Sequence, residues 1–141
     1  MILTKQYIQM CKKLKEHTLL CHIFKPEDLV HHSEIMEENE AKEISKIEKY
    51  DLFIEGMPSR GFPKVECIWV PRIQEIIILI KDEGLTDRLL KNYYQQFIQW
   101  PYLSNLRPND IFKSREELWM AICMNYRKGY IWDKDNWKIH E

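Results

Sequence analysis

Histidine and cysteine are the side chains best suited to hold a metal or attack an electrophile, and His17, Cys21, His22, His31 and His32 crowd the first quarter of the chain. Structural zinc sites use ligand pairs at short fixed spacings, and no Cys-x-x-Cys occurs here. A helix would put His17 and Cys21 on one face, but the neighbours Leu19, Leu20 and Ile23 make packing the expected role. A nucleophilic thiolate needs an electropositive, partly exposed setting. Cys67 instead lies in a strand pattern between Val65 and Trp69, and Cys123 lies on an apolar helix stripe, so neither makes a convincing partner for His22 or His32. Glu37, Glu38, Glu40 and Glu43 stand in a charged stretch with no apolar pocket to shift a carboxyl pKa, which reads as a solvated face. The chain has four glycines and lacks a phosphate loop, a dinucleotide fingerprint and a nucleophile elbow. No catalytic residue, metal ligand or cofactor is therefore assigned, and the expectation is a protein that is not an enzyme.

The compositional oddity is five tryptophans, Trp69, Trp100, Trp119, Trp132 and Trp137. Tryptophan is enriched both in cores and at binding hot spots. Trp119 sits on a helical apolar stripe and reads as core. Trp132 and Trp137, in a short charged tail, suit packing back onto the fold better than binding, and both readings stay open. Arg72 beside Trp69, and Tyr93 followed by Gln95 and Gln96, offer mixed aromatic and polar contacts. The candidate binding residues are thus Trp69, Arg72, Tyr93, Trp132 and Trp137.

Around these residues the chain reads as one α+β domain spanning all 141 positions. Tyr7, Ile8, Cys11 and Leu14 fall on one face of an N-terminal helix over residues 4–16. A short strand or irregular crossing follows over residues 18–24, ended by Pro26. Residues 33–49 favour a solvated helix over ribbon-like strands. Residues 51–55 and 65–70 read as two strands of a small antiparallel sheet, paired around a turn with Gly56, Pro58, Gly61 and Pro63. Pro71 suits the first turn of a helix over 71–82, and Gly84 suits its exit. Thr86 caps a helix over 86–99, with Leu85 and Leu90 as a hydrophobic staple, until Pro101 stops it. Residues 101–113 read as a loop. Ser114 and Glu117 then form a capping box for a helix over 114–128, with Arg127 and Lys128 at its negative end and Gly129 as its stop. A turn over Asp133–Asn136 folds the tail.

Lysine and arginine number 21 against 22 acidic residues, a formal charge of −1, so nucleic acid gains no long-range attraction. No apolar run approaches membrane-spanning length, and the N-terminus lacks the order of a secretory signal. An intracellular protein with reduced, mostly buried thiols is expected.

Trp69, Pro71 and Arg72, together with Glu116 or Glu117, Leu118, Trp119, Ala121, Met124, Trp132 and Trp137, carry a resemblance. They match a W-x-P-R junction and a C-terminal E-x-L-W-x-A-x-x-M helix with a W-containing tail. The pattern resembles small uncharacterised proteins of phages and prophages of Gram-positive bacteria, and the opening YIQMCKKLKE is similar to their start. Residues 33–64 depart from that pattern. The resemblance implies an accessory protein in the cytoplasm of a bacterial host, where it binds and modulates a host protein. The alternative is a protein that sequesters a small molecule or nucleotide, stacking it on Trp or Tyr and holding phosphate with Arg72, Arg88 or Arg127. Self-association is left open under either reading.

Overall fold

The computed structural model describes residues 3–17, 19–20, 28–32, 44–46, 52–53, 62–63, 67–103 and 106–139. The fold is α+β, with helices in the C-terminal half and small antiparallel sheets. The chain divides into two compact units, one formed by Met1–Met10 with Arg72–Glu141 and the other by Cys11–Pro71. Helix α1 (Lys5–Glu16) contributes its first turns to the former and its remainder to the latter. Its stripe of Tyr7, Ile8, Cys11 and Leu14 is buried, as the spacing predicts.

In the unit containing the C-terminus, α2 (Ile73–Asp82) begins two residues later than Pro71 suggests. Arg72 is the cap, in extended geometry, and the Glu75 carboxylate accepts its backbone N–H at 2.8 Å. Pro71 therefore lies outside the helix, because the cap needs an N–H for Glu75 to bind and proline has none. The exit follows the sequence: Gly84 has φ of +93°, and the N–H groups of Glu83 and Gly84 close on Ile80 and Lys81 carbonyls. Helix α3 (Asp87–Gln99) is capped by Thr86, and Leu85 and Leu90 are both buried as the staple requires. Within the segment read as a loop, residues 108–111 form a short helix, α4 (Pro108–Ile111). Pro108 takes its first position, and the Asp110 carboxylate accepts the Arg107 N–H at 3.0 Å.

Helix α5 (Arg115–Lys128) is the centre of this unit: residues 116–118 and 120–124 are buried, and α2 packs along it. Ser114 Oγ accepts the Glu117 N–H at 3.2 Å, and Gly129 ends the helix in left-handed geometry with φ of +71°. Strands β6 (Tyr130–Asp133) and β7 (Asn136–Ile139) form an antiparallel hairpin with Trp132 opposite Trp137. Lys134 in its turn is held at φ of +59°, a conformation that disfavours any residue with a Cβ.

In the unit formed by residues 11–71, three strands make an antiparallel sheet in the order β2–β1–β5: β1 (Leu29–His32), β2 (Ile44–Lys46) and β5 (Cys67–Trp69). A separate pair joins β3 (Leu52–Phe53) to β4 (Phe62–Pro63). Two expectations change here. Residues 44–46 are a strand rather than part of a helix, since pairing with β1 overrides the weak helical preference of an apolar-poor segment. Residues 67–69 pair with β1 and not with 52–53, whose partner is 62–63. Strand registers are long-range choices that local turn residues do not encode. The expected crossing over 18–24 lies outside the described residues from Cys21 onward. No helix among the described residues is long and apolar enough to cross a membrane.

Candidate functional site

The five candidate binding residues are distributed over both units. Trp69 is half-buried in β5, within the unit formed by residues 11–71. Arg72, at the cap of α2, has its guanidinium 3.3 Å from the Glu75 carboxylate. Trp132 and Trp137 are core residues, 0% and 5% exposed. Their rings meet edge to face at 5.2 Å, and the Trp137 indole N–H donates to the Met10 carbonyl at 3.1 Å. The Trp137 indole thus ties the hairpin to α1, and the two buried indoles present no open ring face to a ligand. The Trp132 backbone N–H is accepted by the Tyr102 hydroxyl, which links the hairpin to the ring series Phe97, Tyr102 and Phe112.

Tyr93 is different, because it opens onto a row of partly exposed rings. Its hydroxyl donates to Asn125 Oδ1, and its ring meets Tyr126 edge to face at 5.3 Å. Burial, with a smaller contribution from Tyr126, pushes the Tyr93 phenol up to about 12, so it remains a donor at neutral pH. The next residue, Tyr94, stacks on Trp119 at 5.2 Å with the planes 24° apart. All four rings are half-buried, and Ile122, between Trp119 and Tyr126 on the same stripe of α5, is fully enclosed. The two ring pairs and the Tyr93–Asn125 hydrogen bond join α3 to α5.

Cations stand beside these rings. Arg115 lies four residues before Trp119 on α5, and Lys91 three before Tyr94 on α3, spacings that share a helix face. Arg88, Lys91 and Arg115 are exposed, and none is in an ion pair with a described carboxylate. Asp87 instead pairs with Lys81 at 2.6 Å, and Glu83 with Arg127 at 3.1 Å. The face therefore offers ring surfaces and unneutralised positive charge, which is recognition chemistry.

Nucleophilic chemistry is not favoured by the same helices. Burial pushes the Cys123 thiol up to about 11 despite the neighbouring Arg127, so the thiolate is scarce at neutral pH. His17 is exposed, whereas Cys21 and His22 lie outside the described residues.

Tyr94, Trp119 and Tyr126 each fit the apolar stripe of their helix and so read as core, whereas all three, Trp119 included, are only half-buried. The available signal was Arg115, Trp119 and Tyr126 on one stripe of α5, a mixture of charge and aromatic surface unusual for a wholly buried face.

Glu117 has a larger role than its capping box predicts. Its fully buried carboxylate accepts from Thr4 Oγ1 at 2.7 Å, Ser114 Oγ at 3.0 Å, the Lys113 N–H at 3.4 Å and the Gln6 side-chain amide. Thr4 Oγ1 also accepts the Tyr7 N–H at 3.0 Å, so it caps α1 as Ser114 caps α5. One carboxylate thus joins the capping hydroxyls of two helices, where both helix dipoles favour negative charge. Comparison of the chain with protein-family models, curated proteins and solved structures finds no match in any of the three.

Proposed function

We propose that the protein acts by binding another protein through the face on which aromatic pairs join α3 to α5, and that it performs no catalysis of its own. The observation that carries this reading is the half-buried Tyr94–Trp119 stack, with the Tyr93–Tyr126 pair beside it. Rigid aromatic side chains already held by neighbours lose little conformational freedom on association, which is why they dominate interface hot spots. Exposed Leu89, one turn before Tyr93, extends the apolar area. The resemblance of the W-x-P-R junction and the C-terminal helix to phage and prophage accessory proteins supports a host protein as the partner.

The test is tagged capture from a Gram-positive bacterial host, with the chain and its Trp119→Ala variant compared after both have been checked for folding. The reading expects one partner to be enriched, to re-form a discrete complex from purified components, and to lose most of its binding in the variant. Enrichment of no partner, or equal capture by the variant, would overturn it.

A further inference from the structure

We propose that the partner presents an acidic segment carrying an apolar or aromatic side chain, which packs against the Tyr94–Trp119 stack while Arg115 and Lys91 take its carboxylates. The inference rests on the protein-binding reading above and adds the chemistry of the partner. It follows from the charge that surrounds the stack. Arg115 and Lys91 each stand one helical turn from a ring of the pair, on its own face, exposed and without a carboxylate partner among the described residues. Among the described residues, the carboxylates next to these cations in sequence are engaged or enclosed: Asp87 is held by Lys81 at 2.6 Å, Glu116 is buried, and the buried Glu117 carboxylate faces Thr4, Gln6 and Ser114. Arg88, exposed and equally without an ion pair among the described residues, adds to the same sign.

A guanidinium that keeps its full donor set can accept a carboxylate on two parallel N–H groups, and the adjacent ring can seat an apolar side chain as water leaves. A single nucleic-acid strand could use rings and cations in a similar way. The formal charge of −1 gives such a polyanion no long-range attraction, whereas a short acidic peptide needs only the local pair of cations.

The probe is a short fluorescein-labelled peptide alternating Glu with Leu and Phe, titrated with the full chain at low ionic strength and followed by anisotropy. The expected result is saturable binding that weakens about tenfold for the Lys91→Glu/Arg115→Glu double variant and by a similar factor when glutamine replaces glutamate in the peptide. Because both side chains are exposed, the double variant is expected to melt as the parent does. Lys91→Gln and Arg115→Gln singly provide the same test should the reversal impair folding. Absence of saturable binding, equal affinity for the glutamine peptide, or indifference to the substitutions would overturn the proposal. It would also be overturned if an oligonucleotide of equal charge bound as tightly, or if the parent proved to be a dimer that the double variant dissolves. A cellular partner lost with Trp119→Ala but retained by the charge-reversed variant would leave protein binding intact and remove the acidic partner.

Discussion

At the scale of single residues, Glu117 shows how a local sequence signal can conceal a long-range one. The pattern Ser114-x-x-Glu117 announces a helix start, and the helix does start there. The pattern is silent on Thr4 and Gln6, more than a hundred positions away, because a capping box describes only its own turn. Replacing Glu117 with alanine leaves several part-buried donors without their acceptor and is expected to destabilise the fold by about 3 kcal/mol, measured by urea unfolding. Thr4→Ala, which also removes a cap, should cost about 1 kcal/mol. Lys134→Gly should act in the opposite direction and stabilise by up to about 1 kcal/mol, because glycine adopts positive φ without a Cβ penalty. Cys123 gives a pH-dependent prediction. Its thiol has a higher pKa folded, about 11, than the ordinary 9.0 it regains on unfolding. The unfolded chain therefore loses that proton first as pH rises. The associated stability is complete below about pH 9 and fades between about pH 9 and 11, which pH-dependent denaturation can follow. Mass-mapped alkylation at pH 8 should leave Cys123 unmodified in the folded chain and modify it readily in denaturant.

At the scale of elements, the helices were legible and the sheets were not. Thr86, Ser114, Gly84 and Gly129 sit at the ends of their helices because capping and left-handed exits are decided within one turn. The same locality explains the miss at α4, whose single turn offers only Pro108 and Asp110 as signals within a loop-like composition. Strand pairing is decided elsewhere in the chain: nothing between residues 51 and 70 reveals that 67–69 will choose β1. The hairpin depends on its tryptophans as packing units. Trp137→Phe removes the indole bond to Met10 and should cost about 1 kcal/mol beyond any packing loss. Trp132→Ala, which empties a fully buried position, should cost about 3–5 kcal/mol and abolish a cooperative transition if the parent is only moderately stable.

At the scale of the whole molecule, the balance of charge, the α+β class and the placement of helices were legible. The binding face was only partly so. The polar neighbours of Tyr93 mark it as a candidate, yet its surroundings are supplied by a second helix, whose residues 126 and 119 meet 93 and 94. Which helices meet is set by packing geometry, which a linear pattern of stripes does not carry. The most direct test of protein binding at this face is photo-crosslinking in living host cells. A photoreactive residue replaces Leu89, which is 50% exposed beside Tyr93, and in a control replaces Ile139, 66% exposed on the hairpin. The account predicts a discrete protein adduct from position 89 that is absent from position 139 and disappears with Trp119→Ala. Adducts of equal yield from both positions, or none from position 89, would contradict it.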